Sequence, residues 1–353
     1  MADTYKFRID HHGSLVRPAE LQAARASFTE GRLGRAELTE VENKAIIDAV
    51  ALQRKLNLSV VSDGEFRRAD FRDAVINAVS GFSAVEGAEP SGLNRWEVSD
   101  KVVPAGALVV DDAAFAAEQT LIAAKATLPS PAYLAAHAYT DKTAEIYQSP
   151  EELGLALAAI LRDEIQALIA QGIRYIQLDN PDYARFYGTP NDGWLPDVPL
   201  DVLLGIDAAA VEGLERPEDV RIALVPDWGG HRGKGLDRGV AEKVLNTLPY
   251  DRFLLPFHEQ AIVDEDLLSL VPEQIDVCLG VVSAKTAELE NVDDIMRRFD
   301  SAAAVKDHED LAVSPHQGFE PAAYKPSSLT IEQQRKKLEH VETIARMCWG
   351  NEL

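Results

Sequence analysis

The stretch DVCLGVVSAK, residues 276–285, carries no charged or amide side chain from Val277 to Val282 and then closes on Ser283 and Lys285. A strand with one wet face alternates apolar and polar residues. An unbroken apolar run of this length predicts a strand covered on both faces, which is the condition of a parallel sheet flanked by helices. Seven further runs are read as strands, several of them likewise continuous and apolar: FRIDHHGS (7–14), VVSDGE (60–65), KATLPSP (125–131), YIQLDNP (175–181), IALVPDW (222–228), RFLLPFHE (252–259) and LAVSPHQGF (311–319). Segments of helical periodicity lie between them. In one, Ser149 can cap and Pro150 suits the first turn, and Leu157, Leu161, Ile165 and Leu168 then recur on one stripe. A last helix is expected from about Thr330 to Trp349. Eight strands alternating with helices in 353 residues predict an α/β chain, a single (β/α)8 TIM barrel spanning 1–353. GFSAVEG, RWEVSDKVV and ALVVDD break the alternation. Residues 80–111 are therefore read as an antiparallel insertion near the mouth, between strands two and three.

Composition narrows the function. The formal net charge of −23 argues against nucleic acid as partner, because phosphate binding needs a cationic surface. No apolar run approaches the roughly 20 residues that span a bilayer, and the start MADTYKFRID lacks the apolar core of a signal peptide. Cys278 and Cys348 form no spaced motif, and Cys278 reads as a buried thiol, so a cytoplasmic protein is expected. A homo-oligomer is compatible with all of this.

Polar residues gather where the apolar runs end, at the face of a barrel that carries the active site. His12, Ser14, Glu65, Asp179, Asp227, His258, Glu259, Lys285, His316 and Gln317 all fall there, a placement that favours an enzyme acting on a small molecule. Asp63-Gly64-Glu65 also reads as a strand-end turn, and Asn180-Pro181 as an Asx turn. Arg17 would bind an anionic group or anchor the first loop. Lys285 would bind an anion or, if desolvated, act as a base or Schiff-base former. His231 sits in a glycine-rich loop, WGGHRGKG, suited to an anion or to a lid. His137 reads as a satisfied core histidine.

At these strand ends the sequence resembles the catalytic barrel of cobalamin-independent methionine synthase, and most of all the short single-barrel relatives. HHGSLVRPAEL, SDGEFRRADF, YIQLDNPDY, LGVVSAKTAELE and SPHQGF carry the resemblance in the expected order, with Trp349 in the closing helix. In members that make methionine, zinc holds homocysteine as a thiolate. The resemblance implies ligands in a His-x-Cys pair after strand five, a Glu ending strand six and a Cys ending strand eight. Here those places read Val225-Pro226-Asp227, Pro256 and Gln317, so the usual metal site is expected to be absent. The residues that the resemblance assigns to an amino-acid ligand are present: the Ser14 segment for the carboxylate, Glu65 and Asp179 for the ammonium. Arg17, Gln317 and His12 join them as substrate-binding candidates.

These readings lead to an enzyme that acts on a small polar molecule by acid–base chemistry, as a lyase, a hydrolase or a methyltransferase with no thiol to activate. Its catalytic candidates are His258, Glu259, His316, Asp227 and Lys285, and no cofactor is expected. Two alternatives stay open. One is a homocysteine S-methyltransferase of the methyltetrahydropteroyltriglutamate type. It would use a divalent metal rebuilt on Asp227, His258 and His316. The other is a non-catalytic small-molecule-binding barrel.

Overall fold

The computed structural model describes residues 6–89, 91–187, 198–227, 237–258 and 264–350. Nine strands are present among them: β1 Val60–Val61, β2 Val79–Ala88, β3 Asn94–Pro104, β4 Ala123–Pro129, β5 Tyr175–Asp179, β6 Arg221–Val225, β7 Arg252–Pro256, β8 Asp276–Val282 and β9 Leu311–Pro315. Seven form one sheet in the order β1-β4-β5-β6-β7-β8-β9, every pair parallel. The runs that read as doubly covered strands are those strands, and β5, β7, β8 and β9 are buried along their whole length.

The first expected strand is reduced to a bridge. Ile9 pairs in parallel with Val313. The Asp10 N–H donates to the Val313 carbonyl, and the Val313 N–H to the Arg8 carbonyl, both at 2.9 Å. On the other side the Ser59 N–H donates to the Ile9 carbonyl at 3.0 Å. Residues 8–10 thus touch both edges of the seven-stranded sheet. They form only a short contact because His11, His12 and Gly13 turn away at once, Gly13 with a φ of 108°.

The helices follow the periodicity. Ser149 accepts from the Glu152 N–H at the start of helix Pro150–Ala170, whose stripe Leu157, Leu161, Ile165 and Leu168 is wholly buried. Thr330 caps helix Ile331–Trp349 in a reciprocal box with Gln333. Packing of such apolar stripes, rather than helix propensity, holds crossover helices on a sheet.

The insertion between β1 and β4 is an antiparallel hairpin of β2 and β3. It stops earlier than expected. ALVVDD is not a strand: helix Val110–Glu118 begins inside it. The buried carboxylate of Glu164 accepts the N–H groups of Leu108, Val109 and Val110 at 3.1, 2.7 and 2.7 Å. A distant side chain satisfies donors that a helix start leaves open, and no local pattern shows this.

Candidate functional site

Strand period places Lys125 and Thr127 of β4, and Tyr175, Gln177 and Asp179 of β5, on one face of the sheet, level with each other in register. They meet a turn that starts at β1. There the Glu65 N–H donates to Asp63 Oδ1 at 2.9 Å, an Asx turn, and Gly64 and Glu65 both have positive φ, 71° and 60°. Glu65 is no glycine, so this backbone is strained, as is common where a side chain is held for use. The turn directs the Glu65 carboxylate inward rather than to an open mouth, and it is buried. Thr127 Oγ1 donates to Glu65 Oε1 at 2.8 Å, and Arg68 stands at 3.8 Å. Glu65 Oε2 has no hydrogen-bond partner among the described residues.

Five of the expected binding residues, His12, Ser14, Glu65, Asp179 and Gln317, line one small pocket whose cavity volume is about 20 Å3, room for about one water. Phe71, Gly318 and Pro321 complete it. Two glycines permit the approach. A Cβ on Gly13 would lie 2.5 Å from a Thr127 methyl, and one on Gly318 would lie 2.1 Å from Ser14 Oγ.

The electrostatics follow from burial. Burial, with the Glu65 charge beside it, pushes the Asp179 carboxyl up to about 8. Burial also raises Glu65, against the pull of Arg68 and Thr127. His12 is buried, neither ring nitrogen has a hydrogen-bond partner among the described residues, and burial holds it well below the usual histidine range. The pocket therefore presents two carboxyl groups that resist sharing full charge and one neutral imidazole.

Arg17 frames this pocket from behind. Its guanidinium donates to the carbonyls of Glu320, Glu65 and Arg68 at 2.8, 3.0 and 2.9 Å. Buried and turned to backbone, it anchors the first loop and is not a lining residue. Arg67 pairs with Asp112 at 2.9 Å, and Arg68 donates to the Thr127 carbonyl and hydroxyl.

The remaining candidates follow β6, β7, β8 and β9, and His316 lies near enough to His12 for its charge to act on that ring. The His258 and His316 rings stand edge to face, 5.2 Å between centroids. Burial and the His258 charge push His316 down to about 3, and its Nδ1 lies 3.2 Å from the Ala284 N–H. Asp227 is buried, whereas Lys285 is exposed. Among the described residues no three His, Cys, Asp or Glu side chains group closely enough to hold a metal ion, so Asp227, His258 and His316 do not meet as a ligand set. β6 ends on Val225 and β7 on Pro256, which offer no ligand atom. Both cysteine thiols are pushed up to about 12 by burial, Cys278 inside β8 and Cys348 in the last helix. The donor set does not fit a thiolate-binding zinc centre. Glu259 and His231 lie outside the described residues.

His137 is held by carboxylates: Nδ1 is 3.2 Å from Glu89 and Nε2 is 2.8 Å from Asp182. Those partners raise its pKa against burial, which acts the other way and is the largest influence. Sequence reasoning missed Lys125, Thr127 and Gln177, which position the pocket. The available signal was polar residues two apart inside strands that should be apolar.

The sequence profile of the cobalamin-independent synthase catalytic domain matches residues 12–203. The uncharacterized Bacillus subtilis protein YxjH is 30% identical over 361 residues, covering 97% of this chain and 95% of that one. A Listeria monocytogenes structure described as a putative vitamin-B12 independent methionine synthase is 25% identical. It superposes with a TM-score of 0.78 over 98% of both chains. A B12-independent methionine synthase from Shewanella sp. W3-18-1, solved with selenomethionine, gives 0.74 at 23% identity over 97% of both chains.

Proposed function

The chain belongs to the cobalamin-independent methionine synthase catalytic-domain family, and from that premise we propose that it is an enzyme acting on a small amino-acid-like molecule without a zinc-activated thiol. The observation that carries this reading is the single pocket lined by His12, Ser14, Glu65, Asp179 and Gln317. A buried carboxyl pair suits an ammonium group, since a cation between two acids relieves their mutual repulsion. The Ser14 loop is the neighbouring place for a carboxylate. The Shewanella relative carries selenomethionine, an amino acid of this class. Residues 8–10, touching both sheet edges, would serve as the eighth stave of a closed barrel, with the pocket at its mouth.

The resemblance places Val225, Asp227, Pro256 and Gln317 where the family's thiol-activating metal is held, and these are poor zinc donors. The chemistry is then acid–base work by groups near the pocket, with the neutral His12 and the raised Asp179 nearest to hand. The test has two arms. Metal analysis of the purified protein should find well below one zinc per chain, and homocysteine with methyl-folate should give no methionine. Calorimetric titration with L-methionine should show saturable binding. Stoichiometric zinc together with methionine formation would overturn the proposal, and absence of L-methionine binding would remove its ligand half.

A further inference from the structure

Beneath the pocket lies a buried column of polar groups. Lys125 Nζ contacts Asp10 Oδ1 at 2.6 Å, the His11 carbonyl at 2.6 Å and Gln177 Oε1 at 2.8 Å, and both charged side chains are completely buried. Tyr175 donates to the other oxygen of Asp10 at 2.6 Å. On its far side the Gln177 amide donates from Nε2 to Asp179 Oδ1 at 2.9 Å and to the His12 carbonyl at 3.0 Å.

An amide has one accepting and one donating end, so its direction is decided by its neighbours. The Lys125 ammonium has only donors and can face only the Gln177 oxygen. The nitrogen must then face Asp179 and His12. A flipped amide would set an NH2 against the ammonium, and an oxygen against the His12 carbonyl and, once Asp179 ionises, against its carboxylate. Three good contacts would become three bad ones, in surroundings where unpaired polar groups are expensive.

We infer that Gln177 is a positioning residue for the ligand pocket: the buried Lys125–Asp10 pair locks its amide, and the locked N–H fixes the rotamer and charge of Asp179 and the backbone that carries His12. This rests on the reading of Asp179 as a receiver of the substrate's cationic group. The groups that face Asp179 are Glu65 and Arg68 from the loop after β1, Lys125 from β4 and Gln177 from β5. Burial and Glu65 favour the neutral acid; Gln177, Lys125 and Arg68 favour the carboxylate. Gln177 is the one of these that bonds the carboxylate directly. Without its N–H, ionisation moves to higher pH.

The experiment follows the Asp179 carboxyl by carbon NMR in aspartate-labelled protein, with the resonance identified by its loss in Asp179→Asn. Gln177→Met removes all three contacts at similar volume. Gln177→Glu keeps the acceptor for Lys125 and lacks the donor. In both, the Asp179 midpoint should rise from about 8 by about one pH unit, a tenfold drop in its ionised fraction at neutral pH. Thermal melts confirm that each variant is folded, and Gln177→Glu preserves the Lys125 contact should Gln177→Met fold poorly. An unmoved midpoint in a folded variant overturns the inference. Titration with L-methionine separates the two readings. A midpoint that moves in a protein that never binds L-methionine leaves Gln177 in its role and sinks the ammonium pocket. Equal L-methionine binding with an unmoved midpoint does the reverse.

Discussion

The two sides of the sheet's carboxyl end differ in construction. On one side Ser14, Glu65 and Asp179 converge on a pocket whose acids are buried, hydrogen-bonded and backed by Arg17, Arg68 and Gln177. On the other side Asp227, His258, His316 and Lys285 stand around the ends of β6 to β9 without meeting as a ligand set among the described residues. The family profile's match, residues 12–203, takes in Ser14, Glu65 and Asp179 and ends before Gln317, which lines the same pocket, and before Asp227, His258, Lys285 and His316. Binding an amino acid by its head and activating its tail are separable tasks. A barrel that draws its site from many strand ends can keep one while the other changes.

The sharpest test of the difference is structural. Arg17→Met would leave three carbonyls in the pocket wall short of their donor and remove the cation 4.0 Å from the Glu320 carboxylate, which keeps its bond from the residue-17 backbone N–H. Breaking one partner of a buried charged network typically costs about 3–5 kcal/mol, so denaturant melts should show a loss of that order. A loss under about 1 kcal/mol would mean that the pocket side is no better braced than its opposite.

Next in size is ligand affinity. Glu65→Gln keeps the shape and removes the charge. A charge-assisted hydrogen bond is worth roughly 1.5–3 kcal/mol, so L-methionine binding should weaken about ten- to a hundredfold. The side chain is buried, not at an open rim, so a calorimetric comparison needs a parallel melt to show that the fold survives. Unchanged affinity in a folded variant would reduce the motif to a strand-end turn.

These two residues show how far the sequence could be read. The strands were legible because six apolar runs needed only their own composition to declare burial on both faces, and β1 and the Ile9 bridge were legible as positions though not in extent. Ser14, Glu65 and Asp179 were legible through their motifs. Arg17 was ambiguous because its role depends on carbonyls of residues 65, 68 and 320, far away in the chain. Lys125 and Gln177 sit inside their strands rather than at the strand ends where site residues are expected, and their alternation with Thr127 and Asp179 marks a polar interior. The Glu164 cap that turned ALVVDD into a helix start has no local signal at all.

A smaller effect comes from pH. Asp179 titrates near 8 in the folded protein, above the ordinary 3.8. The sign follows: a raised acid contributes stability in its neutral form below the unfolded pKa, and that contribution is lost as pH rises through about 8. Asp179→Asn should therefore be more stable than the wild type above pH 8, by roughly 1–3 kcal/mol, with the gap closing toward pH 4. L-methionine affinity of the wild type should rise across the same interval as the carboxylate forms. If melts of the two proteins run parallel from pH 4 to 9, the buried acid is not poised as described.

The smallest expected effect tests the other side directly. Lys285→Ala removes an exposed cation whose backbone N–H is held by Ser283 Oγ at 3.1 Å, a bond that alanine keeps. Surface substitutions of this kind usually stay within about 0.5 kcal/mol in stability. The lysine does not line the pocket that holds Glu65 and Asp179. Salt and water screen an exposed charge strongly, so its field at the pocket is weak. L-methionine affinity should therefore change less than about threefold, which is below 1 kcal/mol. A loss as large as that of Glu65→Gln would carry a different meaning. The tail of the ligand would reach across the sheet's end, Asp227 and Lys285 would belong with Ser14 and Asp179, and the two sides would be one site. The comparison of Lys285→Ala with Glu65→Gln, read on the same ligand in the same buffer, thus decides whether the grip works alone.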